Sequence, residues 1–222
     1  MMGRAFWRAA LPFLLVVAGF AGMAGAGPGV ATDAPPETPT MLCAQAVAEV
    51  EARLDIPAQL LSAIALAESG RWDAKHRKSV SWPWTIYAEG HAHYPTTKKS
   101  AIAAVRSMMA RGVKNIDVGC MQVNLFYHPN AFDSLASAFD PATNAAYAGD
   151  LLSRLQNTHR SWSRAIAFYH SATRKYAIPY LRRVQRLWLA ERRREAAAMR
   201  DARLESLRLE KAARDAGPAV DG

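Results

Sequence analysis

A mainly α fold, with a small β-hairpin insertion and a charged helical extension at the C-terminus, is predicted by three features of the sequence. Apolar residues recur at three- and four-residue spacing through most of residues 43–188, the period of a helix with one buried face. The pattern breaks once, at residues 81–94, where Trp, Tyr, Thr and Ile gather around Gly90; that composition suits two short paired strands. Beyond Ala190 large apolar residues thin out among mixed charges, leaving strong helix formers with little to bury.

Taken in order, the chain opens on processing signals. Arg4 and Arg8 precede an uncharged run from residue 9 to residue 26 that ends in Ala24-Gly25-Ala26, so residues 1–26 read as a signal peptide. Pro12 and the glycines at 19, 22 and 25 disfavour a permanent span, and no Cys follows closely enough for a lipid anchor. An exported, periplasmic protein is expected. Residues 27–40, with prolines at 28, 35, 36 and 39, read as a flexible leader. Residues 41–190 then form one domain, because 222 residues leave room for one substantial core plus appendages.

Within that domain residues 43–54 predict a helix with Ala44, Val47, Val50 and Leu54 inward. A second helix covers residues 56–70, with Pro57 in its first turn and Gly70 as a left-handed exit. The hairpin follows, then a helix over 100–111 with Thr97 as cap and Gly112 as stop. Asp140-Pro141 opens a helix whose Ala145, Ala148, Leu151, Leu152 and Leu155 supply core. Ser161 caps a short helix through Tyr169, and a last helix from about Ile178 buries Leu181, Val184, Leu187 and Trp188. Residues 191–222 are expected to extend it as a solvated helix with a disordered end.

Charge and cysteine content narrow the partners. The net charge is +9, of which residues 27–180 carry only +3, from 15 basic and 12 acidic groups. The excess lies in the last helix. A basic exported protein suits an anionic wall polymer or membrane surface, and export excludes nucleic acid. Cys43 and Cys120 are the only cysteines. An oxidising compartment favours a disulfide between them, and two thiols alone make a poor metal site.

The most informative residue is Glu68. Leu60, Leu61 and Ile64 form an apolar stripe, and the next position at helical spacing is a carboxylate. Two readings are open: a carboxyl rotated to solvent at a frayed helix end, or one held against an apolar face. The second resists ionisation, and the negative end of the helix adds to that resistance. A carboxylic acid protonated near neutral pH is a general acid.

Three further segments bear on that choice: Asp117-Val118-Gly119-Cys120-Met121-Gln122-Val123-Asn124, Asp140-Pro141-Ala142-Thr143-Asn144-Ala145-Ala146-Tyr147-Ala148, and Ala165-Ile166-Ala167-Phe168-Tyr169-His170-Ser171. With Glu68-Ser69, in this order and spacing, they resemble the lytic transglycosylase SLT family, whose signature is Glu-Ser, then Gly-Leu-Met-Gln, then Ala-Tyr-Asn. The resemblance spans residues 43–188. It implies a lysozyme-like helical fold and a monomer that needs no cofactor or metal. The implied activity is cleavage of the β-1,4 bond between N-acetylmuramic acid and N-acetylglucosamine in peptidoglycan strands.

Carried over by position, the resemblance makes Glu68 the catalytic acid and base and Ser69 a residue that positions substrate and acid. Gly119, Met121 and Gln122 match the second motif, with Gln122 the polar contact, and Tyr169 matches the hydroxyl that steadies the glutamate. Cys120 replaces the usual Leu, while Phe168 and His170 replace Ala and Asn, so His170 either donates a similar bond or alters substrate contacts. Family chemistry uses the C6 hydroxyl of the muramic residue in place of water and gives a 1,6-anhydro product. Such enzymes open the wall locally, which implies an envelope secretion or flagellar machine as partner.

Glu89 is the one tempting second carboxylate: across the cleft from Glu68 it would stabilise positive charge or hold water, and otherwise it is a solvated turn residue, as most charged residues are. Asp73 is a weaker candidate. Trp82, Trp84, Tyr87 and Tyr94 suit either a glycan groove or packing of the hairpin. His91, His93, His128 and His170 match no closed zinc spacing. Rival readings are a hydrolytic muramidase of the same fold, a non-catalytic peptidoglycan-binding module, and an envelope scaffold using the basic helix.

Overall fold

The computed structural model describes residues 38–75 and 77–215. The expected signal peptide, most of the leader and the end of the tail lie outside them. Among the described residues seven helices form the frame: α1 (Pro39–Arg53), α2 (Leu60–Ser69), α3 (Lys98–Ala110), α4 (Leu135–Ala138), α5 (Pro141–His159), α6 (Trp162–His170) and α7 (Arg174–Asp215). Six short strands interrupt them: β1 (Gly70–Asp73), β2 (Lys78–Ser81), β3 (Ile86–Ala88), β4 (His91–His93), β5 (Ile116–Val118) and β6 (Val123–Asn124). The mainly helical class with a small β insertion is therefore correct, and the β part is larger than one hairpin.

Local chemistry explains the boundaries that were expected. Thr97 caps α3 by accepting from the Ser100 N–H at 3.1 Å, and Gly112, at φ 86°, ends it. Asp140 caps α5 through the Thr143 N–H at 2.9 Å, with Pro141 in the first turn. Ser161 caps α6 in the same manner. The β3–β4 hairpin turns on Glu89 (φ 53°) and Gly90 (φ 83°), and two consecutive positive φ angles are the requirement of a type I′ turn.

Other boundaries differ. α1 starts at Pro39, inside the expected leader, because Thr38 is extended and a proline is already set for the first helical position. Pro57 lies in the turn before α2, where its carbonyl accepts from the Leu60 N–H at 3.0 Å. The free donors at the start of α2 are taken by Glu51 of α1, which accepts from Gln59 N at 2.9 Å and Ser62 N at 3.0 Å. Gly70 is not left-handed: at φ −64° and ψ 126° it turns straight into β1. It is needed for another reason, since a Cβ there would lie 2.2 Å from the Leu66 carbonyl oxygen. α7 begins at Arg174, four residues before the expected start, and carries Pro179 within it.

Two cores result. Val47, Leu61, Ile64, Leu152, Ile166 and Val184 bring α1, α2, α5, α6 and α7 together. Ile86, Ile116 and Val118 pack the four-stranded sheet, in the order β4-β3-β5-β6, onto Ala101 and Val105 of α3 and onto Phe139. Cys43 and Cys120 form a disulfide, with Cα atoms 5.7 Å apart, that ties α1 to the turn between β5 and β6. From Met199 to Asp215 every residue of α7 except Ser206 is exposed, in keeping with a solvated extension. Among the described residues no helix is long and apolar enough to cross a membrane.

Candidate active site

A cleft of about 630 Å³ opens between the two cores, and Glu68 lines it from the last turn of α2. The sheet supplies Tyr87, Asp117 and Asn124, while α6 and α7 supply Tyr169, His170 and Arg183. The apolar stripe of α2 buries Leu60, Leu61 and Ile64 completely, and the same face delivers Glu68 to the cleft wall. Of the two readings open from sequence, the held carboxyl is the one observed.

Burial raises the Glu68 pKa from 4.5 to about 7, against the effect of a 2.6 Å hydrogen bond donated by the Tyr180 hydroxyl to Oε1. The charge of Asp117 adds to the rise and that of Arg183 opposes it. Tyr180 keeps its own proton: burial and then the Glu68 charge push its pKa well above 10. His170 stacks on the Tyr180 ring, with centroids 4.4 Å apart and planes 6° from parallel. Burial and then Arg183 lower the His170 pKa below 6.5, so at neutral pH it is an uncharged plate behind the tyrosine.

The second carboxylate of the cleft is Asp117, not Glu89. β5 alternates: Ile116 and Val118 are fully buried on one face, which turns Asp117 to the other. Burial raises its pKa, and a 2.7 Å bond from Asn124 Nδ2 opposes the rise. Asn124 is itself fixed, accepting from the N–H groups of Phe126 at 2.9 Å and Tyr127 at 3.0 Å. Glu89 lies in the hairpin turn outside the cleft, exposed and 3.5 Å from Arg111. Asp73 is also outside the cleft lining, and accepts from Lys75 N at 2.9 Å.

The remaining sequence candidates divide between cleft and core. Gln122, Tyr169 and His170 line the cleft with Glu68. Gln122 commits Nε2 to the carbonyls of Thr85 (3.1 Å) and Gly119 (3.0 Å), which leaves its side-chain carbonyl as the free polar group. Ser69 is a correction: it is fully buried, and its hydroxyl lies 2.7 Å from the Cys120 carbonyl and 3.1 Å from that of Ala65. It cannot touch a ligand and instead pins α2 to the 119–122 turn. Met121 is likewise fully buried, so its side chain is core and not a substrate contact. Tyr169 donates to the Met121 carbonyl at 2.9 Å rather than to Glu68; the hydroxyl that holds the glutamate is that of Tyr180.

Asn144 is the hub of that turn. Its Oδ1 accepts from Met121 N at 2.9 Å, and its Nδ2 donates to the carbonyls of Val118 (3.1 Å) and Ala138 (3.0 Å), which uses both amide hydrogens. Gly119, at φ 85°, fits against it because a Cβ would come within 2.4 Å of Nδ2. Of the four aromatic candidates only Tyr87 lines the cleft. Trp82 is buried, donates to the Pro95 carbonyl at 2.7 Å and meets Trp84 edge-on. Tyr94 is exposed elsewhere on the insertion. His91 and His93 are exposed on β4, and His128 bonds the Tyr147 hydroxyl at 2.9 Å. Among the described residues no three His, Cys, Asp or Glu side chains gather as a metal site.

Chemically, the cleft offers one carboxyl poised to give a proton near pH 7, a donor that holds it, and a second carboxylate facing the same space. No family model matches the chain, and no curated protein or solved structure matches it.

Proposed function

We propose that this protein is a peptidoglycan lytic transglycosylase in which Glu68 acts alternately as acid and base. The observation that carries the reading is a carboxyl with a pKa of about 7 on the wall of an open cleft, held by Tyr180. Protonated Glu68 gives its hydrogen to the glycosidic oxygen as the bond from C1 of the muramic residue breaks. Positive charge develops at C1 as an oxocarbenium-like or acetamido-stabilised species. The C6 hydroxyl of the same sugar then attacks C1, its proton passes to the ionised Glu68, and a 1,6-anhydro ring closes with the acid regenerated. No water is consumed. Tethering gives that hydroxyl a large effective concentration over solvent.

The family resemblance and the signal-like N-terminus support a wall substrate, and a disulfide between Cys43 and Cys120 suits an oxidising compartment. One observation favours a second reading. Asp117 faces the cleft and its charge reaches Glu68, and an acid paired with a second carboxylate is the arrangement of hydrolytic glycosidases. Mass spectrometry of fragments released from purified sacculi separates the two. Fragments lighter by one water, ending in anhydromuramic acid, are expected; reducing ends alone would assign the protein to hydrolysis, and no release at all would remove both readings.

A further inference from the structure

Next to the cleft lies a second hollow, of about 340 Å³, lined by Leu66, Gly70, Ser79, Arg183, Arg186 and Leu187. Arg183 belongs to both walls, so one side chain joins the cleft to the hollow. Arg183 and Arg186 are exposed and three residues apart on α7, a spacing that puts both on one helix face. No carboxylate lines the hollow, and among the described residues neither guanidinium forms an ion pair. Most arginines of α7 share that state, since only Arg194 with Glu191 and Arg208 with Glu205 form ion pairs among the described residues; what sets Arg183 and Arg186 apart is the concave wall they share.

Two arginines left without carboxylate partners in a concave site match an anion, and the planar fork of the guanidinium matches a carboxylate in particular. Arg182, the preceding residue, is also exposed and without an ion pair among the described residues, yet it does not line the hollow. Leu66 and Leu187 add aliphatic surface to the hollow, and Ser79 adds one hydroxyl. Aliphatic surface beside two cations fits a short chain that carries a carboxylate next to aliphatic carbon.

We infer that the Arg183–Arg186 hollow is a subsite for the carboxylate-bearing peptide substituent of the glycan strand next to the bond being cleaved. The inference rests on the transglycosylase reading and extends it to substrate preference: strands that carry peptides are cleaved in preference to bare glycan. Arg183 serves both the cleft and the hollow, whereas Arg186 lines only the hollow, so Arg186 is the residue to change.

The test compares kcat/KM on peptide-bearing strands with kcat/KM on strands stripped by an amidase, for the full-length protein and for Arg186→Gln. The unsubstituted protein is expected to favour peptide-bearing strands by about tenfold, and Arg186→Gln to reduce that ratio toward one through KM, the scale of one lost charge-assisted bond at an accessible site. Arg186→Lys should restore part of it. An equal ratio in protein and variant, or no preference in the unsubstituted protein, would overturn the subsite. Failure of the unsubstituted protein to cleave either strand would instead overturn the transglycosylase reading beneath it.

Discussion

Glu68→Gln is expected to lower kcat on sacculi by about 10³-fold or more, since general acid–base transfer contributes 10²–10⁴-fold and one residue here serves in both directions. The amide has the same shape and still accepts from Tyr180, but it has no proton of suitable acidity to give. Activity of the unsubstituted protein is expected to fall as pH rises through about 7, where Glu68 gives up its proton. The same substitution should stabilise the fold at alkaline pH. The folded pKa, about 7, lies above the ordinary 4.5, so the folded chain retains a proton that the unfolded chain releases between those values. No penalty exists below 4.5; it grows as pH rises from 4.5 to 7 and is complete above, at roughly 3 kcal/mol as an upper value for this partly exposed group. Thermal melts should find the variant several degrees more stable at pH 8 and level with the parent near pH 4. A variant that turns over normally, or that melts lower at pH 8, would place the acid elsewhere.

Removing the disulfide should have the largest effect on stability. Cys43 and Cys120 are 77 residues apart and fully buried, and closing a loop of that length restricts the unfolded chain by about 4–5 kcal/mol in the chain-entropy model. Whole domains are stable by only about 5–15 kcal/mol. The double variant Cys43→Ala, Cys120→Ala should therefore melt about 10 °C lower or more. Activity should fall as well, because the carbonyls of Cys120 and Met121 anchor Ser69 and Tyr169. Equal melting temperatures for the parent and the double variant would show that the bridge adds nothing.

What the sequence reveals and what it hides follow the range of the interactions. Caps at Thr97, Asp140 and Ser161 are legible because a side chain satisfies an N–H only three residues away. Glu68 is legible because it breaks a stripe that helical spacing makes continuous. β5 and β6 are not, since strands of three and two residues exist only by pairing with partners that no local pattern names. Asp117 is hidden with them, although the alternation Ile116-Asp117-Val118 signals one polar group facing away from a core. Tyr180 lies inside the helix expected from about Ile178 but is not singled out there; counted back four from Val184, it belongs to the buried stripe of α7. The hydrogen bond it gives Glu68 spans 112 residues, a distance over which periodicity carries no information.

The proposed chemistry requires Glu68 to keep its proton near neutral pH. That can be read from the side-chain carboxyl resonance of Glu68 in ¹³C-glutamate-labelled protein, assigned by its loss in Glu68→Gln and followed through pH. A midpoint of about 7 is expected, moving upward in Tyr180→Phe, which removes a donor that favours the ionised form. A midpoint near 4.5, the value of an unperturbed glutamate, would contradict the proposed chemistry.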